Sequence, residues 1–336
     1  MIVVTGGTGL LGSHLLLELA RKHERITALK RPSSNLEEVR KVFFYHSPEA
    51  DKLFRRIRWT DTDLMCQQEV EEVVRGAGQV YHCAAMVSFQ PRDRHKMIDF
   101  NVQSTMHVVQ GCLKGKVGRL MHVSSSSAIG RPPEDIPADE SMIWTRSKSS
   151  TGYSVSKFQS EMEVWRGMEQ GLKAVIVNPT IILGPGFWEK GSSSMFTRID
   201  RGLKYATSGV TGYVGVQDVV SVMTGLMEHE WSGERFIVSA GDYSYKEIFS
   251  MIAEAIGKPR EFKQVSPAML MSLSRLDSLA SLFTGRRSIT SDQAMSAFDQ
   301  VHFSAEKIRK ALGIRFTPIP EVIRNVARSY LSNHRQ

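Results

Sequence analysis

The chain opens with an apolar stretch, a cluster of glycines and an apolar segment with helical spacing, MIVVTGGTGLLGSHLLLELA. A strand that enters a glycine-rich loop and leaves it as a helix is typical of a dinucleotide-binding unit, because glycines let a pyrophosphate approach the backbone. The helix N-terminus also offers free N–H groups and partial positive charge to an anion. A plain turn between strand and helix needs only one glycine. We therefore expect this loop to bind a cofactor.

The register of the loop is open on these residues alone. Gly7, Gly9 and Gly12 spell G-x-G-x-x-G, whereas Gly6, Gly9 and Gly12 spell G-x-x-G-x-x-G. Both patterns occur at phosphate-binding turns, and they differ in which glycine is the first essential one.

Beyond the loop, apolar strand-like segments alternate with helix-like segments, which predicts a parallel sheet with helices on both faces. The predicted strands are Ile2–Thr5, Ile26–Lys30, Ile57–Thr60, Val80–Ala84, Leu120–Ser124 and Ala174–Asn178. The predicted helices are Leu10–Arg21, Gln68–Arg75, Lys96–Leu113 and Thr151–Glu169, with one or two more short helices in 31–55. The fold class is thus α/β, a Rossmann-type doubly wound sheet. We expect residues 1–183, with returning segments near 210–240, to bind the cofactor. Residues 184–209 and 241–336, mostly helical toward the C-terminus, are expected to bind the substrate.

Composition limits the other possibilities. The chain has 336 residues, 41% hydrophobic and 23% charged, and a net charge of +8. The basic residues are scattered without interleaved aromatics, so solvated surfaces are a better interpretation than nucleic-acid binding. The three cysteines show neither CxxC nor zinc spacing, and no metal site is expected. Their spacing, the absence of a basic leader and the short apolar runs predict a reduced, cytoplasmic protein that does not enter a membrane.

The end of the second strand bears on cofactor choice. A dinucleotide without an extra phosphate favours a carboxylate there for its ribose hydroxyls. This chain instead has ALKRPSS, with no acid before Glu37. Arg31, together with Lys30, Ser33 or Ser34, is therefore a candidate for holding a 2′-phosphate through charge-assisted hydrogen bonds, and NADP is preferred over NAD.

Two further segments carry candidate catalytic groups. In TGYSVSKFQSE, Tyr153 and Lys157 are four residues apart and share one helical face. A tyrosine with a reference pKa near 10 is a poor acid–base group at neutral pH, and a nearby lysine ammonium lowers that pKa. The segment VSSSSAIG, 123–130, ends a strand of the same sheet, where a hydroxyl can polarise a substrate carbonyl. Most of these serines are expected only to form the turn.

Together these motifs resemble the extended short-chain dehydrogenases/reductases of the NAD(P)-dependent epimerase/dehydratase superfamily, most of all the dihydroflavonol-reductase and cinnamoyl-CoA-reductase branch. The matching segments, in order through roughly residues 1 to 240, are TGGTGLLG, Asp63-Leu64, His82-Cys83-Ala84-Ala85, Asn101-Val102, VSSSSAIG, GYSVSK, VNPTIILGPG and GYVGVQDVV. Such ordered spacing is more specific than any single motif.

The resemblance implies particular roles. The catalytic residues are expected to be Ser125, Tyr153 and Lys157, with Ser124 a less favoured neighbour of Ser125, and His82 a packed strand residue. The resemblance also selects the register that counts from Gly6. The implied cofactor-binding residues are Gly6, Thr8, Gly9, Leu10, Leu11, Gly12, Arg31, Asp63, Leu64, Ala84, Ala85, Tyr153, Lys157 and Pro179.

We expect an NADPH-dependent enzyme that interconverts a carbonyl and a hydroxyl group on a small organic substrate. Two alternatives stay open: a nucleotide-sugar epimerase that retains NAD, and a non-enzymatic NADP-binding sensor. Dehydration is disfavoured, because dehydratases of this superfamily carry Asp-Glu where this chain has Ser126 and Ser127. Six apolar loop residues suggest an apolar or aromatic substrate or, equally, contacts between regions: Met86, Phe89, Phe187, Trp188, Met195 and Phe196. The family also implies a homodimer built on two long helices near 96–113 and 151–169.

Overall fold

The computed structural model describes residues 1–133, 136–147, 150–229, 231–270, 272 and 297–334. Its strands are β1 (Ile2–Thr5), β2 (Ile26–Lys30), β3 (Ile57–Asp61), β4 (Gln79–His82), β5 (Arg119–Val123), β6 (Ala174–Pro179), β7 (Ile181–Leu183), β8 (Tyr205–Ala206), β9 (Val210–Gly215), β10 (Glu234–Val238), β11 (Gly241–Ser244) and β12 (Lys263–Gln264). Its helices are α1 (Leu10–Lys22), α2 (Glu37–His46), α3 (Ala50–Arg55), α4 (Gln67–Val74), α5 (Arg94–Lys114), α6 (Gly152–Glu169), α7 (Ser194–Asp200), α8 (Val216–Glu228), α9 (Tyr245–Ala255), α10 (Glu306–Leu312) and α11 (Ile319–His334).

Seven strands form one parallel sheet in the order β10-β6-β5-β4-β1-β2-β3. The chain runs outward from β1 through β2 to β3 and then resumes with β4 on the other side of β1. Ligands of open α/β sheets bind at the carboxyl ends of the strands near such a reversal. The glycine loop follows β1, and the segments after β4, β5 and β6 lie along the same edge.

The central sheet is covered on both faces. Ile2 and Val4 of β1 belong to a core shared with α1, α2, α3, α8 and α10, whereas Val3 between them belongs to a core shared with α4, α5 and α6. This alternation explains why the strands are apolar throughout: both faces of a parallel sheet are removed from water. The predicted α/β fold is confirmed.

A further core lies outside the central sheet. The strands β7, β9 and β11 form a three-stranded sheet, and α7, α9 and α11 pack beside it. Trp188, Phe196 and Tyr330 form an edge-to-face aromatic cluster in this core. The Tyr45 hydroxyl of α2 donates to Asn333 of α11 at 3.0 Å, which links this core to the central fold. The division of the chain into cofactor and substrate regions stays a prediction.

The observed bounds of the strands and helices agree closely with those predicted from the sequence. The strands Ile2–Thr5 and Ile26–Lys30 match residue for residue, and 31–55 contains the two short helices α2 and α3. The fourth strand ends earlier than predicted, because the N–H of Ala84 donates to the Thr5 hydroxyl at 3.2 Å rather than to a strand carbonyl. Much of the predicted C-terminal helical segment, 273–296, lies outside the described residues. None of the helices in the described ranges combines the length and the apolar character of a membrane span.

Candidate active site

The glycine loop turns sharply against the end of β4. Gly6 has a φ of +69°, and a Cβ atom on it would lie 2.5 Å from the backbone nitrogen of Ala84. A Cβ atom on Gly7 would meet only the end of the flexible Leu16 side chain, at 2.6 Å. The conformation and the backbone contact at Gly6 therefore require glycine, whereas a side chain at Gly7 displaces another side chain.

The first turn of α1 has free donors that face this loop. The first hydrogen bond within the helix joins the N–H of Ser13 to the Gly9 carbonyl at 2.9 Å. The preceding N–H groups, of Leu10, Leu11 and Gly12, have no acceptor within the helix, and Gly9 supplies no capping side chain. Thr8 beside them is half-exposed. Free N–H groups behind a tight glycine turn fit a pyrophosphate, so the loop suits a dinucleotide.

The two basic residues at the end of β2 are in different situations. Lys30 is paired with Asp61, its neighbour at the end of β3, so its charge is already balanced. Arg31 is exposed, and its backbone forms a small turn with Ser34, in which the Ser34 N–H donates to the Arg31 carbonyl at 2.9 Å. Of this pair, Arg31 is the exposed residue, and the charge of Lys30 is balanced by Asp61.

The other implied cofactor residues line the same edge. The Asp63 carboxylate accepts the N–H of Met65 at 2.9 Å, and the buried Leu64 offers its carbonyl to the His107 ring at 2.9 Å. Ala84 and its neighbour Ala85 are half-buried behind the glycine loop, and Pro179 is buried where β6 ends.

The three predicted catalytic side chains lie together where β5 meets α6. The Ser125 hydroxyl oxygen accepts two hydrogen bonds from Ser127, from its N–H at 3.2 Å and from its hydroxyl at 3.0 Å. Its own hydrogen is thereby left to be donated toward the neighbouring Tyr153 phenol. Burial raises the pKa of Tyr153, and the hydrogen bond from Ser125 acts in the opposite direction. The phenol is thus held neutral and aligned with a serine hydroxyl.

Lys157 is buried one helical turn after the tyrosine. Only 4% of Lys157 is exposed, and its ammonium donates to the Val123 carbonyl at 2.9 Å. Burial lowers the pKa of Lys157 to about 8, while Cys83 and Glu161 act to raise it. The ammonium is therefore fixed at the carboxyl end of β5, with a pKa that lies much closer to physiological pH than that of a solvated lysine.

His82 belongs to a hydrogen-bond chain whose direction follows from proton counting. The Ala84 N–H donates to the Thr5 hydroxyl, and because the neutral His82 ring carries its hydrogen on Nε2, Thr5 donates to His82 Nδ1 at 2.7 Å. The Thr105 hydroxyl donates to the Asn101 carbonyl at 2.7 Å and so accepts from His82 Nε2 at 3.1 Å. Burial lowers the pKa of His82 to about 3, with Lys157 adding to the shift. The imidazole is a neutral connector between the cofactor loop and α5.

Asn101 continues this network toward the tyrosine. Its side-chain carbonyl accepts the Met86 N–H at 2.7 Å, and its amide donates to the Met86 carbonyl and to the Ser156 hydroxyl, both at 3.0 Å. Ser156 in turn donates to the Tyr153 backbone carbonyl at 2.8 Å. The segment after β4 and the first turn of α6 are therefore fixed to one side chain.

A buried carboxylate lies behind the catalytic residues. Glu161 accepts hydrogen bonds from Ser124 at 2.7 Å, Asn178 at 2.9 Å, Arg235 at 2.9 Å and Trp165 at 3.3 Å. Sequence reasoning missed this group. The spacing of four from Lys157 to Glu161 was a usable signal, because it places both on one helical face. Nothing local in the sequence links them to Arg235, more than seventy residues later.

Two of the six apolar loop residues adjoin this site. The Phe89 ring lies 6.1 Å from the Tyr153 ring and is 41% exposed, and Met86 is held by Asn101. Trp188 and Phe196 are buried with Tyr330 in the separate core, so they pack between elements and do not line the opening above the tyrosine.

Known proteins are similar along most of the chain. The model of the NAD dependent epimerase/dehydratase family matches residues 2–239. Sterol demethylase protein B of Methylococcus capsulatus is 28% identical over 85% of this chain and 84% of its own. Tetraketide alpha-pyrone reductase 2 of Arabidopsis thaliana is 30% identical over 74% of this chain and 81% of its own. A bifunctional dihydroflavonol 4-reductase/flavanone 4-reductase of Malus domestica is 24% identical, with 79% of each chain covered.

Solved structures share the whole fold. The crystal structure of gox2253 superposes with a TM-score of 0.81 at 22% identity and covers 100% of this chain and 99% of its own. The UDP-glucose 4-epimerase of Thermotoga maritima superposes with a TM-score of 0.77 at 19% identity, with 99% of both chains covered. The family match, the reductase-named relatives and the shared fold agree with the site described above. The chain belongs to the NAD dependent epimerase/dehydratase family and is an NAD(P)-dependent oxidoreductase of the extended short-chain dehydrogenase/reductase type.

Proposed function

We propose that this protein is an NADPH-dependent oxidoreductase that interconverts a carbonyl and a hydroxyl group on a small apolar substrate. The observation that carries the proposal is the placement of the Ser125 hydroxyl beside the Tyr153 phenol, one helical turn from the buried Lys157. A neutral phenol aligned with a second hydroxyl is suited to hydrogen-bond one carbonyl oxygen from two sides.

The nicotinamide cofactor supplies the hydride when it is bound. Tyr153 then donates its hydroxyl proton to the substrate oxygen, and Ser125 donates a hydrogen bond to the negative charge that develops there. Lys157 stabilises the phenolate that Tyr153 becomes, because an ammonium nearby favours the ionised phenol. The Val123 carbonyl holds the ammonium in that position. The reverse reaction uses the same groups with the proton moving back to Tyr153.

Several residues would hold the cofactor. The N–H groups of Leu10, Leu11 and Gly12 are placed for the pyrophosphate. Arg31 is free to meet a 2′-phosphate, whereas Lys30 is already paired with Asp61. This difference supports NADPH rather than NADH. The implied contacts of Asp63 and Leu64 with adenine remain part of the proposal.

The surface above Tyr153 favours an apolar substrate. Phe89 is 41% exposed beside the tyrosine ring, and Val87 on the same segment is 59% exposed. The names of the relatives, dihydroflavonol 4-reductase and tetraketide alpha-pyrone reductase, support the reductive direction. A panel of aldehydes, ketones and hydroxysteroids, followed by NADPH absorbance, is the direct test. We expect turnover of an apolar carbonyl that Tyr153→Phe abolishes, and wild-type turnover by Tyr153→Phe would refute the proposal.

An epimerase remains the second candidate, because the family model includes epimerases and the fold matches a UDP-glucose 4-epimerase. An epimerase oxidises and reduces its substrate within one cycle and retains its nucleotide. The cofactor of the purified protein distinguishes the two functions. NAD that stays bound to the isolated protein supports the epimerase, and free exchange of NADPH supports the reductase.

We further propose a homodimer that pairs α5 and α6 of two subunits, and a cytoplasmic location. Light scattering of the purified protein tests the first, and fractionation of the source cells tests the second.

A further inference from the structure

Glu161 is a fully buried carboxylate surrounded by four hydrogen-bond donors, an environment that packing of the core does not require. Its side chain is fully buried, on the turn of α6 that follows Lys157. The four donors around it occupy both carboxylate oxygens: Ser124 and Asn178 bond to one, and Arg235 and Trp165 to the other. Four donors leave no position for a proton, so the group is an anion. A buried anion is costly unless a function or a partner retains it.

The carboxylate fixes the strand end that carries Ser125. Three successive residues there are held from outside the strand. Val123 offers its carbonyl to Lys157, Ser124 donates its hydroxyl to Glu161, and Ser125 offers its carbonyl to Asn178 at 3.0 Å. Because the Asn178 amide donates to Glu161 as well, the carboxylate is part of two of these three anchors.

Arg235 extends the same network toward the segment after β5. Its side chain is 13% exposed and bonds to Glu161, to the Glu140 carbonyl at 2.8 and 3.0 Å, and to the Met142 carbonyl at 2.8 Å. One guanidinium therefore joins the carboxylate behind the catalytic residues to the segment 139–143, which packs against Gly130.

Glu161 is also the charged neighbour of Lys157. The other titratable groups around the ammonium are His82 on β4, Cys83 directly after it, His122 on β5, and Tyr153. Burial raises the pKa of Cys83 to about 12 and holds both histidines neutral at physiological pH. The Glu161 carboxylate, held as an anion by its four donors, favours the charged form of the lysine.

We propose that Glu161 is a positioning residue of the reductive site: clamped by Arg235, it fixes the end of β5 that carries Ser125 and supplies the negative charge that faces Lys157. The proposal rests on the proposed function for its catalytic consequence. It assigns no contact with substrate or cofactor to Glu161.

The test compares Glu161→Gln, the double variant Glu161→Gln/Arg235→Gln, and the control Glu169→Gln at an exposed position of the same helix. Glu161→Gln leaves the Arg235 guanidinium buried and unpaired, so its melting temperature is expected to fall by several degrees, and the neutral double variant is expected to recover most of that loss. If Glu161 only supported the fold, activity would recover together with the melting temperature.

We expect the melting temperature, but not the catalytic activity, to recover in the double variant. In both Glu161 variants, kcat for the best carbonyl of the panel should fall about tenfold to 100-fold, while the Kd for NADPH changes less than about threefold. The alkaline limb of the kcat/KM profile should move to lower pH by about one unit, because loss of the carboxylate lowers the pKa of Lys157. The exposed control Glu169→Gln should match the wild type. Recovery of kcat and of the pH profile in the double variant would overturn the proposal.

A measurement that needs no substrate tests the role of Glu161 independently of the proposed function. The NMR signal of the Lys157 ε-carbon, assigned with Lys157→Met, reports the ionisation of the ammonium. We expect its midpoint to move down by about one pH unit in both Glu161 variants. An unchanged midpoint refutes the role of Glu161 even if the enzyme is a reductase. A wild-type protein without Tyr153-dependent turnover refutes the function even if the midpoint moves.

Discussion

The Lys157 ammonium donates to the backbone carbonyl of Val123 at 2.9 Å, so the last residue of β5 is bonded to the middle of α6. This bond crosses from helix to sheet directly behind the hydroxyls of Ser125 and Tyr153. A flexible side chain that commonly extends into water is thereby fixed at 4% exposure.

Replacement of this lysine tests its part in the chemistry. Lys157→Met keeps most of the buried volume and removes the charge that, under the proposed function, stabilises the Tyr153 phenolate. We expect kcat to fall by about 100-fold or more, as for loss of a group that assists acid–base catalysis. Steady-state assays with the best carbonyl of the panel measure this, with the exposed Lys173→Met as the matched control. Equal losses in the two variants would contradict a specific role of Lys157.

Arg31 is expected to decide between the two nicotinamide cofactors. A charge-assisted hydrogen bond contributes about 1.5–3 kcal/mol, so Arg31→Ala should raise the Kd for NADPH about tenfold to 100-fold. The Kd for NADH should change little, because NADH lacks the 2′-phosphate. Fluorescence titration measures both, and Arg25→Ala at the opposite end of β2 is the control. Wild-type affinities that are equal for NADPH and NADH would remove the basis for this role.

The glycine register can be measured by two alanine substitutions. Gly6→Ala places a Cβ atom 2.5 Å from the Ala84 nitrogen, in a backbone conformation of positive φ, whereas Gly7→Ala displaces only the end of Leu16. A side chain in the left-handed region costs about 1–2 kcal/mol before any overlap. We expect Gly6→Ala to weaken NADPH binding and to lower the melting temperature more than Gly7→Ala. The reverse order would favour the G-x-G-x-x-G register.

Acid is expected to destabilise the fold through buried histidines. Burial lowers the pKa of His14, which lies 4.9 Å from the His46 ring, and lowers that of His46 to about 4. The unfolded chain protonates each imidazole below about pH 6.5, while the folded chain does not until lower pH. The free energy of unfolding should therefore fall as the pH drops from about 6.5 toward 4, by about 1.4 kcal/mol per pH unit for each such histidine.

His14→Leu tests this cause. Neither ring nitrogen of His14 has a hydrogen-bond partner within the described part of the chain, so an apolar side chain of similar size should cost little at neutral pH. Urea unfolding at several pH values should give a shallower acid decline for His14→Leu than for the wild type, with similar stability at about pH 7.5. Parallel declines would show that His14 is not one of the groups responsible.

The sequence predicts the local features of this protein well. Apolar runs and glycine punctuation determine β1, the loop and α1, because each depends on neighbouring residues only. The spacing of Tyr153 and Lys157 likewise puts them on one helical face, and the structure brings Ser125 to them. Their catalytic roles stay predictions.

The groups that the sequence does not predict are joined across the fold. Arg235 reaches Glu161 only because β10 pairs with β6. The order of residues in one sequence does not show which strands pair. The same holds for the aromatic residues of 184–200. From the sequence, aromatic residues such as Trp188 and Phe196 could equally line a substrate pocket. Their packing against Tyr330 shows that they belong to the core.

The chain of hydrogen bonds through His82 has a consequence for proton supply. Every donor along it points the same way, from the Ala84 N–H through Thr5, His82 and Thr105 to the Asn101 carbonyl. A chain that starts at an amide and ends at a carbonyl has no exchangeable source at one end and no basic sink at the other, so it insulates the sheet side of the site. Under the proposed function, we therefore expect the protons that Tyr153 donates to come from the solvent side, beside the exposed Phe89.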